Sequence, residues 1–219
     1  MKTLVEGLER YEQQTREKYR DRFAALADGQ APLAMLITCA DSRLVPNLVA
    51  SAEPGELFIV RNVANLVPAA REDGDEAEHC SVTAAVWYAL EVLGVRNVVV
   101  CGHSGCGGMK AALAPEPPPS PALRRWLALA SGSVETWRTK GPLDSTLAEH
   151  DQLSQIATRQ QVANLETHSF VRERVARGDV RLYAWWFDIG AGRMLAYSEK
   201  DGRYVPAVEV VGEPELRVA

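Results

Sequence analysis

Three short stretches of this chain, Leu33 to Thr38, Leu57 to Val60 and Val98 to Val100, are apolar without a polar face. Successive side chains of a strand point to opposite sides, so a strand that is apolar on both sides needs cover on both. Between the second and third stretches lies an apolar helical segment, Ala77 to Leu93, closed by Gly94. Strand, helix and strand at this spacing are the parts of a crossover unit. The expected fold is α/β, with a mostly parallel central sheet flanked by helices.

The remaining segments fit around that sheet. Thr3-Leu4-Val5-Glu6 has the form of a capping box, followed by Leu8, Tyr11, Thr15, Tyr19, Phe23 and Leu26 at helical spacing until Asp28-Gly29 stops the run. The stripe is narrow and residues 12–22 are mostly polar, so residues 1–28 read as an N-terminal helical arm that could lie across a partner subunit. The proline-rich run 114–121 excludes regular helix and central strand and reads as a stiff surface connector. Two helices are expected after it, near 122–139 and 143–177, the second ended by Gly178-Asp179. Val180 to Phe187 and Arg193 to Tyr197, joined across Ile189-Gly190-Ala191-Gly192, form a C-terminal antiparallel strand and hairpin. No shift of composition divides the chain, so residues 1–219 are expected to be a single domain.

A chain of 219 residues with 47% hydrophobic content can bury a substantial core. Its net charge of −5 gives no reason to expect nucleic acid or an anionic membrane as partner. No apolar run approaches the roughly 20 residues that cross a bilayer, and Met1-Lys2-Thr3-Leu4 leads into polar residues instead of a signal core. A cytoplasmic protein is expected. Four cysteines are too few for a disulfide scaffold, and in a reducing compartment clustered Cys and His suggest a metal.

That cluster lies at strand ends. Cys39-Ala40-Asp41-Ser42-Arg43 follows the first apolar strand, and His103-Ser104-Gly105-Cys106 follows the third. Open parallel sheets bind ligands beyond the carboxyl ends of their strands, so both motifs should share one edge. Two thiolates and one imidazole suit zinc, and three protein ligands leave a fourth position open, as in catalytic sites. Water there is acidified, though less by an ion whose charge two thiolates cancel, so activity should rise toward alkaline pH. Asp41 and Arg43 can meet in the loop, where a guanidinium keeps the carboxylate ionised. Asp41 could then orient the nucleophile, swing onto the metal as a fourth ligand in a closed state, or merely shape the turn.

Cys-x-Asp-x-Arg followed by His-Ser-x-Cys-Gly-Gly resembles the β-carbonic anhydrases. The likeness continues through Glu53-Pro54-Gly55-Glu56-Leu57-Phe58, Arg61 to Pro68 and Val99-Val100-Cys101-Gly102, covering most of residues 30–113. It implies one Zn2+ per chain held by Cys39, His103 and Cys106, with Asp41 and Arg43 as catalytic dyad. It also implies reversible hydration of carbon dioxide to bicarbonate, and a homodimer or homotetramer. Gln30, Phe58 and Tyr88 fall where plant-type members line the substrate pocket, and the amide of Gly107 falls where the family binds an anion. Other members carry a second bicarbonate site of Trp, Arg and Tyr. Arg61 matches its arginine, but Leu36 and Phe187 replace the other two, so that site is expected to be missing and Arg61 to pair with an acidic neighbour or subunit.

Cys80 and Cys101 read as small buried side chains, His150 and His168 as surface or packing residues of the long helix, and His79 as a polar helix start or a proton relay. Trp87 could mark a subunit interface, and Trp126, Trp137, Trp185 and Trp186 read as core or interface. Alternative functions are a zinc hydrolase of carbon disulfide or carbonyl sulfide on the same fold, a non-catalytic bicarbonate-binding protein, or a thiol redox protein. The last lacks any Cys-x-x-Cys motif.

Overall fold

The computed structural model describes residues 1–71 and 80–211. Six strands form one sheet in the order β2-β1-β3-β4-β5-β6. They are β1 (Ala34–Cys39), β2 (Leu57–Asn62), β3 (Asn97–His103), β4 (Arg181–Asp188), β5 (Arg193–Ser198) and β6 (Arg203–Pro206). β2, β1, β3 and β4 run parallel, while β5 and β6 add antiparallel. The three apolar runs are thus the inner strands and one parallel edge, as their two-faced hydrophobicity requires. β6 is an addition to the expected hairpin. It is short and ends in Pro206, which suits an edge and hides the strand from pattern reading.

The strands split their side chains between two cores. Met35, Ile37, Val98 and Val100 pack under the helical layer with Val82, Val86, Leu90, Leu165 and Val171. Leu36, Val99 and Cys101 point the other way, into a smaller cluster with Leu44 and Phe187. The helices are α1 (Lys2–Arg10), α2 (Arg16–Ala25), α3 (Pro46–Val49), α4 (Ser81–Trp87), α5 (Gly107–Leu113), α6 (Pro121–Leu127), α7 (Ser131–Lys140), α8 (Glu149–Thr167), α9 (Ser169–Ala176) and α10 (Ala207–Val211).

Several helix boundaries differ from the sequence reading. α1 begins at Lys2 with Met1 as its N-cap and no side-chain cap, so Thr3 sits inside the first turn and the capping box does not form. A π-helical turn, Tyr11–Thr15, joins α1 to α2. Arg22 ties α2 to the body through Pro54 O at 2.7 Å and Glu56 at 3.2 Å. The helix after β2 is described from Ser81 onward and ends in a π-helical turn, Tyr88–Val92, while Ala77 to His79 lie outside the described residues. The single helix expected over 143–177 is two. Asp144 Oδ1 accepts from Thr146 N at 2.9 Å, making a turn that delays the start to Glu149. His168 then takes an extended conformation between α8 and α9, with Nε2 beside Pro68 O at 3.0 Å.

α8 matters most for the site because it lies across β3 and β4 on polar contacts. Ser154 Oγ donates to His103 O at 3.1 Å, and Trp186 Nε1 donates to Ser154 Oγ at 3.1 Å. A Cβ on Gly102 would run into Thr158 Oγ1, so glycine there lets the helix approach β3 closely.

Candidate metal centre

β1 and β3 are parallel neighbours with Thr38 level with Cys101, so both strands deliver their last residues, Cys39 and His103, to the same edge. The chain then turns through Gly105, whose φ of +66° suits glycine, and Cys106 becomes the N-cap of α5. This turn is held from both sides. Gly105 N donates to Asp151 Oδ1 at 2.6 Å, and Arg43 Nη2 donates to Gly105 O at 3.2 Å.

The result gathers Cys39 Sγ, a His103 ring nitrogen and Cys106 Sγ within 4.8 Å of one another, all three residues buried. His103 Nδ1 lies 2.9 Å from Ser104 O, which favours the proton on Nδ1 and leaves the Nε2 lone pair free. Nε2 is buried with no hydrogen-bond partner, and neither cysteine is in a disulfide. A buried lone pair facing two thiols is costly unless something electrophilic satisfies it. Soft sulfur and imidazole donors fit zinc.

The electrostatics agree. The Cys106 thiol beside Cys39 is the largest influence on it and, with help from His103 and backbone N–H groups and against burial, holds the Cys39 thiol well below its usual range. Cys106 is driven the opposite way, by Cys39 beside it and by burial. One thiolate therefore opposes the other, and a divalent cation is what lets both ionise. For His103, burial is the largest single influence and opposes the charged ring, but Cys39, the Ser104 carbonyl and Asp41 together outweigh it and the pKa is raised.

Asp41 stands next to this group without joining it. Arg43 Nε donates to Oδ1 at 2.9 Å, Nη2 to Oδ2 at 2.7 Å and the Arg43 backbone N–H to Oδ1 at 3.0 Å. This fork, opposed by some burial, holds the Asp41 carboxyl well below the usual range. Asp41 Oδ2 is 3.8 Å from His103 Nε2, so an ionised acceptor lies beside the ligand cluster.

The other predicted site residues divide. Gly107 is the first residue of α5, exposed and adjacent to Cys106. Gln30, Phe58 and Tyr88 are not brought to the cluster within one chain. Phe58 is level with Met35 while Asn62 is level with Cys39, and four residues of strand span about 13 Å. Tyr88 stacks on Phe58 at 6.0 Å, and the exposed Gln30 precedes β1 at that same far end. Leu36 and Phe187 are buried in one apolar cluster. Among the described residues of this chain Arg61 pairs with no acidic neighbour. It donates to the carbonyls of Cys39, Asp41 and Leu44 at 3.0, 2.7 and 2.8 Å, because the loop after β1 curls over it.

Sequence reasoning missed Asp151, Ser154 and Ala64. Asp151 is legible only as an acid in the first turn of α8. Ala64, whose N–H donates to Cys39 Sγ at 3.4 Å, carries no signal in its residue type.

Comparison with known proteins agrees with this geometry. The family model described as carbonic anhydrase matches residues 34–194. A carbonic anhydrase of Pseudomonas aeruginosa is 36% identical, with both chains covered completely. Carbonic anhydrase 1 of Escherichia coli O157:H7 is 36% identical over 94% of this chain and 92% of its own. Among solved structures, the β-carbonic anhydrase CcaA superposes with a TM-score of 0.84 at 31% identity, covering 94% of this chain and 98% of that one. A tetrameric β-carbonic anhydrase of Sordaria macrospora superposes with a TM-score of 0.76 at 27% identity, over 90% of this chain and 98% of its own. With its Cys-His-Cys cluster and Asp-Arg pair at one edge of this sheet, the chain belongs to the carbonic anhydrase family, in its β class.

Proposed function

We propose that this chain is a zinc enzyme that interconverts carbon dioxide and bicarbonate, with Cys39, His103 and Cys106 as ligands and Asp41 and Arg43 as catalytic dyad. The observation that carries this reading is the convergence of three buried ligand atoms within 4.8 Å beside an ionised carboxylate. Bound there, zinc supplies a Lewis acid that acidifies water to a nucleophile at near-neutral pH. Asp41 Oδ2 accepts a hydrogen bond from the reacting O–H and orients it. Arg43 keeps that acceptor charged and aimed. The N–H of Gly107, the first residue of α5 and next to Cys106, would donate to an oxygen of the bicarbonate.

The working unit we propose is a homodimer or homotetramer of single-domain chains, 1–219, in the cytoplasm. Within one chain no residue of α1 is buried, and Leu4 and Leu8 are 67% and 65% exposed. Such an apolar stripe is covered at lower cost by a second copy than by water. A neighbouring subunit would also bring the Phe58–Tyr88 pair and Gln30 to a cluster that their own chain cannot offer them. Four free thiols suit a reducing compartment, and among the described residues no helix is long and apolar enough to cross a membrane.

The test is stopped-flow hydration of carbon dioxide measured beside turnover of carbon disulfide and carbonyl sulfide. Rapid hydration with little sulfide turnover is expected. Preference for either sulfur compound would replace the proposed substrate.

A further inference from the structure

Ala64 and Asn65, in the 3-10 turn after β2 (Val63–Asn65), both adopt left-handed backbone, at φ +66° and +48°. Side-chain-bearing residues rarely adopt that region, and two in succession need outside support. The turn has it. Asn62 clamps Leu66 in both directions, Oδ1 accepting from Leu66 N at 2.8 Å and Nδ2 donating to Leu66 O at 2.9 Å. Trp126 Nε1 donates to Val63 O at 2.8 Å. On the far side α5 presses in at Gly108, where a Cβ would lie 2.7 Å from Ala64 Cβ and 3.3 Å from Val63 Cγ1. The turn aims one group at the cluster, the Ala64 N–H that meets Cys39 Sγ at 3.4 Å in a buried setting.

We infer that the Ala64 turn, seated against Gly108, is a positioning device that fixes Cys39 and tempers its sulfur as a metal donor. An N–H bond to a thiolate draws electron density from the lone pairs that the metal shares. The donor is a backbone group that no rotamer change can withdraw. Gly108 follows Cys106 by two residues, so the contact between Gly108 and Ala64 links the supports of both sulfur ligands. Glycine is needed at 108 because Ala64 Cβ is fixed in place by its own backbone and cannot turn aside. This inference rests on the zinc reading of the cluster.

The test uses full-length protein loaded with cobalt(II), whose sulfur-to-metal charge-transfer band reports thiolate donor strength, together with zinc affinity by competition with a chelating dye. Gly108→Ala should push the Ala64 N–H off Cys39. The band should move to longer wavelength because the untempered sulfur donates more, while zinc binding should weaken roughly tenfold because Cys39 is no longer held in place, the low end for lost support around a ligand. Ala64→Gly keeps the N–H and tolerates the positive φ, so it should resemble the parent, and the double variant Ala64→Gly/Gly108→Ala should regain band and affinity. Trp126→Phe, which frees Val63 O without adding bulk, should shift the band the same way by less. It serves as the probe if Gly108→Ala does not fold. A parent-like band and affinity in the folded Gly108→Ala protein, or in Trp126→Phe if that variant is the probe, would overturn the inference, as would failure of the double variant to recover. If the parent itself binds neither metal at the cluster, the zinc reading falls first.

Discussion

Replacing Asp41 by asparagine removes one charge and almost no volume, so it isolates what the carboxylate contributes. Asp41 Oδ1 could still accept from Arg43 Nε and the Arg43 backbone, now 2.9 and 3.0 Å away. The new amide NH2, however, would face Arg43 Nη2, which sits 2.7 Å from Oδ2, donor against donor. Because the Asp41 side chain keeps 17% exposure, water can relieve that clash, and the fold should survive. Zinc should also stay, since Asp41 is not one of the three clustered ligand atoms. Hydrogen bonds to charged groups contribute about 1.5–3 kcal/mol against about 0.5–1.5 kcal/mol for neutral ones. A difference of about 1–2 kcal/mol in the transition state corresponds to roughly 5- to 30-fold in rate. The displaced Arg43 fork adds to the loss, so turnover should fall at least about tenfold. The pH dependence has a definite sign. The Arg43 fork depresses the Asp41 pKa, so its charge is present from neutral to alkaline pH and is lost only as pH falls through that lowered value. The ratio of parent to variant turnover, read by stopped flow, should therefore be flat from neutral to alkaline pH. Equal turnover at every pH would reduce Asp41 to a turn-shaping residue, and loss of zinc would make it a ligand.

Cys106→Ser should lose both zinc and activity because a neutral hydroxyl cannot replace a thiolate. Cys101→Ser should keep both, since Cys101 is a buried thiol pushed up to about 12 by its surroundings; metal analysis beside activity separates the two. Bicarbonate should inhibit with a Hill coefficient near one, because Leu36 and Phe187 are apolar and buried and Arg61 is occupied by three carbonyls. Steep cooperativity would require a second anion site. Deleting residues 1–28 should lower the mass seen by light scattering or cause aggregation. An unchanged mass would make the arm dispensable for assembly.

How far the chain could be read before its structure depended on the kind of signal. Val98 to Val100 and Leu33 to Thr38 were legible as sheet interior because burial on both faces leaves a continuous apolar run. The ligands were legible because cysteine and histidine at strand ends have few other uses in a reduced protein. Thr3 and Glu6 misled because the helix gained two residues at its start, Lys2 and Thr3, which moved the cap to Met1. The break at His168 was invisible because nothing in Glu166-Thr167-His168-Ser169 forbids helix; contacts of Thr167 with Ala70 N and of His168 with Pro68 O hold the chain there. Gln30, Phe58 and Tyr88 show that sequence position does not say which subunit's site a side chain lines. Sequence position assigned them a pocket, but strand register puts them about four residues' length from the cluster in their own chain. Ala64 shows another limit, since its contribution is a backbone N–H set by tertiary support.

The measurement that bears most directly on the proposed chemistry is carbon dioxide hydration followed against bound zinc. Protein stripped by a chelator and reloaded in steps should regain turnover in proportion to the zinc it takes up. Recovery should level off near one ion per chain, because the described residues offer a single Cys-His-Cys group. Stripped protein that hydrates carbon dioxide as fast as the loaded form, or fully loaded protein no faster than solvent, would contradict the assignment of zinc chemistry to Cys39, His103 and Cys106.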